Sequence, residues 1–79
     1  MVIKVLGTGC AKCKMLENRT REAVSELGID IEVVKVDDIA KIIEYKVIRT
    51  PALVIDETMV MNGKVISVSE IKTLIQQNI

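Results

Sequence analysis

The sequence predicts an α/β fold in which a four-stranded mixed sheet is flanked by three helices, in the order β-α-β-α-β-β-α. Three features carry this expectation. Short Ile- and Val-rich runs recur between glycines and acidic pairs, and β-branched residues favour strands. One long stretch repeats its apolar residues at helical spacing and ends at Gly28. A final apolar stretch follows Ser67 and Glu70, the spacing of a helix capping box.

Val2 to Leu6 is a short apolar run bounded by Gly7, which fits a strand covered on both faces. In the next segment Cys13, Leu16, Thr20, Ala23, Val24 and Leu27 form one helical stripe. Asn18, Arg21, Glu22 and Ser25 fall on the opposite side, and Met15 points away from the stripe toward solvent. Ile29 to Asp37 alternates apolar and charged residues over part of its length and reads as a second strand. Asp37 is positioned to cap a short helix whose apolar side is Ile39, Ile42 and Ile43. Arg49 to Ile55 holds the only proline and a third strand. Asp56-Glu57 makes a turn, Thr58 to Met61 a fourth strand, and Asn62-Gly63 a second turn. Val68, Ile71, Leu74 and Ile75 give the last helix its core face. A strand, helix, strand start implies a parallel pair with a right-handed crossover, and the last two strands are close enough for a hairpin.

The 79 residues read as one domain, residues 1–79. With 49% hydrophobic residues, a chain this short can still assemble a core. Eleven basic and eleven acidic residues interleave along it, which leaves no basic footprint for nucleic acid. No Lys/Arg cluster marks a membrane surface, and no apolar stretch is long enough for a span. The opening residues are too short for the apolar core of a secretion signal. A cytoplasmic monomer is therefore expected. In that compartment a structural disulfide is not expected, and a bridge from Cys10 to Cys13 would close a loop too small to add much stability.

Both cysteines lie in "GTGCAKC", residues 7 to 13. One cysteine alone reads as a small buried hydrophobe. A Cys-x-x-Cys that follows a strand and opens a helix reads as chemistry. Cys10 falls at the helix start, where unpaired backbone N–H groups and the positive end of the dipole stabilise a thiolate. Lys12 and Lys14 add positive charge nearby, and Lys12 is the candidate for tuning the thiol. These influences make Cys10 the candidate attacking thiol. Cys13 lies one turn further, on the apolar stripe, and suits a resolving role.

Metal carriage is the rival reading. "GTGCAKC" resembles the loop of heavy-metal-associated domains that carry copper, and two thiolates suit Cu(I). The methionine of that loop is missing here, and that family runs β-α-β-β-α-β without a helix between its second and third strands. Zinc fits less well, because a closed tetrahedral site needs four ligands and the chain has two Cys and no His. No metal is assigned. A third reading is a non-catalytic adaptor with incidental cysteines.

Thr50-Pro51 is the second notable element. It precedes an interior strand, where a missing N–H is tolerated, and X-Pro is also the usual place for a cis bond. "GCAKC" together with "TPALVI" resembles the thioredoxin superfamily, in which a Cys-x-x-Cys at the first core helix faces a cis-proline loop. The expected element order is similar to that fold over the whole chain. The "GTGC" loop, the "REAVSELGI" helix end and the "EIKTLI" last helix are similar to small archaeal and bacterial thioredoxin-like, redox-active disulfide proteins of glutaredoxin size.

The resemblance implies a thiol–disulfide oxidoreductase with Cys10 as nucleophile and Cys13 as resolving thiol. It implies that Thr50 and Pro51 contact substrate, Thr50 through its backbone. It also implies that no cofactor is needed beyond a redox-active Cys10–Cys13 disulfide. The implied partners are disulfide-containing proteins and an upstream reductase. Met15, Ile48, Thr50 and the region of Asn62 are the expected apolar docking rim, with a place in the core the alternative for Ile48. Ala11-Lys12 stands where thioredoxins carry Gly-Pro, and Gly9 where they carry tryptophan. The first strand offers Lys4 where thioredoxins place a buried acid, and a glutaredoxin-like diglycine contact for glutathione is not evident. The potential of the couple therefore does not carry over from thioredoxin.

Overall fold

The computed structural model describes residues 1–47 and 49–78. It contains β1 (Val2–Leu6), α1 (Ala11–Leu27), β2 (Glu32–Val36), α2 (Ile39–Glu44), β3 (Ala52–Ile55), β4 (Thr58–Asn62) and α3 (Val68–Gln77). The sheet runs β2-β1-β3-β4. β1 and β2 are parallel, with Val2 opposite Glu32 and Leu6 opposite Val36. β3 is antiparallel to both β1 and β4, so the sheet is mixed as expected.

Side-chain alternation along the central strands divides the core in two. Ile3, Val5, Leu53 and Ile55 pack with Leu16 and Ala23 of α1 and with Ile71 and Ile75 of α3. Leu6, Ala52 and Val54 point the other way, to Ile42 of α2. All four residues of β3 are buried, which explains its unbroken apolar run. Thr20 sits in this core without cost because its hydroxyl donates to the Leu16 carbonyl at 2.7 Å.

The helix ends follow local chemistry. Gly28 closes α1 at a φ of +66°, a left-handed conformation that glycine adopts freely. The Ser67 oxygen accepts the Glu70 N–H at 3.1 Å and opens α3. The Glu70 carboxylate takes the Ser67 hydroxyl at 3.3 Å and does not reach back to the backbone. Asp56 and Glu57 both have positive φ, the requirement of a two-residue turn that suits the strand twist between β3 and β4.

Four expectations are corrected. Asp38, not Asp37, caps α2, its carboxylate accepting the Ala40 N–H at 2.9 Å. Only Ile42 of the three expected isoleucines is buried; Ile39 and Ile43 are 62% and 65% exposed. A helix of six residues offers the sheet about one inward position per turn, and Ile42 takes it. The second strand, Glu32–Val36, is shorter than the Ile29 to Asp37 pattern suggests, whereas the third starts at Ala52, directly after the proline as expected. Asn62 ends β4 and does not begin the turn.

Lys4 is the one charged residue on β1. Its ammonium donates to Tyr45 Oη at 2.7 Å and meets Glu57 Oε1 at 2.6 Å, while Tyr45 Oη donates to Glu57 Oε2 at 2.9 Å. This cluster ties the end of α2 to the β3–β4 turn. Hydrogen bonding to Glu57, then to Tyr45, raises the Lys4 pKa. Lys4, then Tyr45, holds the Glu57 carboxyl below its ordinary value. Among the described residues no helix is long and apolar enough to cross a membrane.

Two outcomes are expected. Leu16, fully buried against the sheet, should cost about 2–5 kcal/mol when changed to alanine, read by urea unfolding. The Lys4–Glu57 contribution is small because Glu57 is exposed. A lowered carboxylate stabilises above the ordinary glutamate value of about 4.3 and loses that effect as pH falls through its folded value. A raised lysine stabilises below about 10.4 and loses it as pH rises through its folded value. Glu57→Gln should therefore be slightly less stable than the parent at neutral pH, with the difference vanishing in acid; a difference that persists at pH 2 would contradict the ion pair as its source.

Candidate active site

β1 delivers the chain to the site. The Gly7 N–H donates to the Val36 carbonyl at 2.9 Å, which extends the parallel ladder one residue past Leu6. Gly7 lies directly against α1. A Cβ built there would fall 2.8 Å from Cys13 Cβ and closer still to Cys13 Sγ, so no side chain fits without moving the helix. Gly9 then turns the loop at a φ of +86°.

Cys10 is the N-cap of α1. Its backbone is extended, and its carbonyl accepts the Lys14 N–H at 3.0 Å. Its sulfur accepts the Cys13 N–H at 3.2 Å. A sulfur therefore takes the place usually held by a Ser, Thr, Asp or Asn oxygen, at the positive end of a 17-residue helix. The first turn carries no acid to offset that end, and Lys12 and Lys14 are both exposed. Cys10 and Cys13 are joined as a disulfide, with Cα atoms 5.1 Å apart. The two sulfurs differ in setting: Cys10 is exposed, whereas Cys13 is 3% exposed.

The proline loop meets this corner through the sheet. Leu6 is paired with Ala52, so Gly7 and Pro51 each lie one residue beyond the same end of the β1–β3 ladder. Pro51 is buried, the Thr50–Pro51 bond is cis, and Thr50 is exposed. The Pro51 carbonyl accepts the Gly63 N–H at 2.8 Å. Gly63 in turn has its open side against the stem of Arg49; a Cβ there would lie 3.2 Å from Arg49 Cβ. Three loops, residues 7–10, 49–51 and 62–63, thus converge at one end of the sheet.

Of the expected docking rim, Met15 is 44% exposed, and Thr50 and Asn62 are exposed. Ile48 lies outside the described residues. A groove of about 520 Å³ runs between β4 and α3, lined by Met61, Ile66 and Leu74 among others, and does not include the disulfide. The sulfur of Cys10 is therefore met at the surface and not inside a cavity. Two residues escaped the sequence reading. Gly7 marks a strand boundary in the sequence, and a glycine between an apolar strand and a buried helix residue also signals close backbone approach. Glu57 is the carboxylate partner of Lys4, supplied from a distant turn.

A family model described as a thioredoxin domain matches residues 1–76. The chain belongs to the thioredoxin family. It is 47% identical over 72 residues to a thioredoxin of Methanocaldococcus jannaschii, covering 91% of this chain and 83% of that protein. It is 44% identical over 75 residues to a thioredoxin of Methanothermobacter thermautotrophicus, covering 95% of this chain and 97% of that protein. A Cys-x-x-Cys disulfide in this family setting makes the chain a thiol–disulfide oxidoreductase. The dithiol/disulfide couple carries two electrons by itself, so the chemistry needs no added cofactor. The copper-carrier alternative gains no support. The helix α2 between β2 and β3 departs from that fold.

The packing of Gly7 generates a test in this thioredoxin-family chain. Gly7→Ala should lower stability by about 1–3 kcal/mol, because its methyl group must displace Cys13 or the start of α1. Urea unfolding of the oxidised protein reads this directly; parent-like stability would contradict the close approach.

Proposed function

We propose that Cys10 is the attacking thiol and Cys13 the resolving thiol in the reduction or exchange of protein disulfides. One observation carries this reading: Cys10 is exposed and its sulfur accepts an N–H at the start of α1, while Cys13 is buried. In the reduced protein the same N–H and the helix end favour a Cys10 thiolate, with Lys12 adding positive charge.

The thiolate attacks one sulfur of the substrate disulfide. A Cys10–substrate disulfide forms, and the other substrate sulfur leaves as a thiolate and takes a proton. Cys13, as its thiolate, then attacks Cys10 Sγ. The Cys10–Cys13 disulfide forms and the second substrate thiol is released. Two electrons pass to the substrate, and an upstream reductase returns two to the pair. Thr50 pairs through its backbone with an extended segment of the substrate, and Pro51 supports it beside the disulfide. The exposure of Thr50 and the place of Pro51 directly beyond the Leu6–Ala52 pair support these roles.

The partners in this reading are disulfide-containing proteins and a reductase, with no nucleic acid or membrane surface among them; the balanced charge supports this. The protein works as a monomer of one domain, residues 1–79, in the cytoplasm, where a reducing pool returns the couple to its dithiol form.

Cys13→Ser should accumulate covalent adducts through Cys10 when mixed with an oxidised protein substrate, seen by mass spectrometry and reversed by dithiothreitol. Cys10→Ser should accumulate none. Adducts confined to the Cys10 variant would reverse the two roles.

A further inference from the structure

We infer that the corner holding the disulfide selects substrate disulfides flanked by acidic residues, through a basic rim made by Lys12, Lys14, Arg49 and Lys64. The inference rests on the oxidoreductase reading and on docking beside Thr50.

The chain as a whole is neutral, so this polarity is local. Lys12 and Lys14 stand on either side of Cys13, each about 100° around the helix from it, and both are exposed. Arg49 immediately precedes the Thr50–Pro51 bond, is exposed, and has its stem against Gly63. Lys64 follows Gly63 and is exposed.

Among the described residues the cations that form ion pairs lie elsewhere. Lys4 pairs with Glu57, Arg21 with Glu17 and Lys72 with Glu26. Among the described residues none of the four rim cations has a carboxylate within ion-pair distance. The acids toward this end form no ion pair with the rim. Asp37 and Asp38 follow β2, on the far side of β1 from β3 and β4, and Asp38 accepts the Ala40 N–H. Glu70 shares the β4–α3 groove with Lys64, and its Oε1 takes the Ser67 hydroxyl. The helix end adds positive potential with no acid in its first turn. A substrate strand beside Thr50 therefore runs between uncompensated cations. Acidic residues next to its cysteines gain attraction there, and basic ones meet repulsion.

The test mixes pre-reduced protein with a neutral disulfide, 2-hydroxyethyl disulfide, and with two synthetic peptide disulfides flanked by Glu or by Lys, in single turnover. At low ionic strength the Glu-flanked peptide should react about ten-fold or more faster than the Lys-flanked one. The gap should close toward unity at about 1 M salt. Arg49→Glu should shrink or invert the gap. Lys35→Glu, the same charge change on the exposed β2 edge, should keep it. Equal rates for the two peptides at low salt, or an equal effect of both variants, would overturn the inference while leaving the oxidoreductase intact. Failure to reduce the neutral disulfide would overturn the oxidoreductase reading, and this inference with it.

Discussion

The contact of Gly7 with Cys13 governs the arrangement of this protein. It brings the end of β1 and the start of α1 closer than any other residue type would allow. Cys13 is thereby pressed inward against the strand end. The residue one turn earlier, Cys10, is left at the helix cap facing solvent. Leu6, the neighbour of Gly7, pairs with Ala52, so the same strand end also sets where the proline loop arrives. Disulfide and loop are therefore aligned by one backbone approach and one strand register.

A small domain has little stability to spend on a site, and here the site is built from groups the fold needs anyway. A helix N-terminus has unsatisfied N–H groups that something must cap. Using a cysteine sulfur as that cap gives one group two roles, closing the helix and receiving its positive end. Both cores contribute to holding the corner. Leu16 anchors α1 a turn beyond Cys13 on one face, and Leu6 and Ala52 anchor β1 and β3 on the other. Gly63 joins the corner by donating to the Pro51 carbonyl, so the third loop is tied down by backbone alone.

Much of this was legible because the signals are local. The stripe from Cys13 to Leu27, the Gly28 stop and the Ser67 cap each depend on a few neighbouring residues, and each appears where expected. The cysteine pair was legible for the same reason: a strand, a glycine loop and a helix start identify the cap position. What the sequence hid is what depends on distant partners. Ile39 and Ile43 look like core residues until the shortness of α2 leaves room for Ile42 alone. Lys4 looks like a lone charge on a buried strand until the β3–β4 turn brings Glu57 to it. Nothing in the sequence sets Arg49 against Gly63, which the fold brings together. Gly7 carried a signal, but its demand became visible only once Cys13 stood opposite.

The inequality of the two sulfurs is the central claim, and alkylation of the reduced protein across pH tests it most directly. Iodoacetamide, with peptide mapping of the products, gives a rate for each cysteine at each pH. Cys10 should be modified first, with a midpoint below the ordinary thiol value of about 8.5, and Cys13 should stay protected in the folded protein. Faster modification of Cys13, or a Cys10 midpoint at or above the ordinary value, would contradict it.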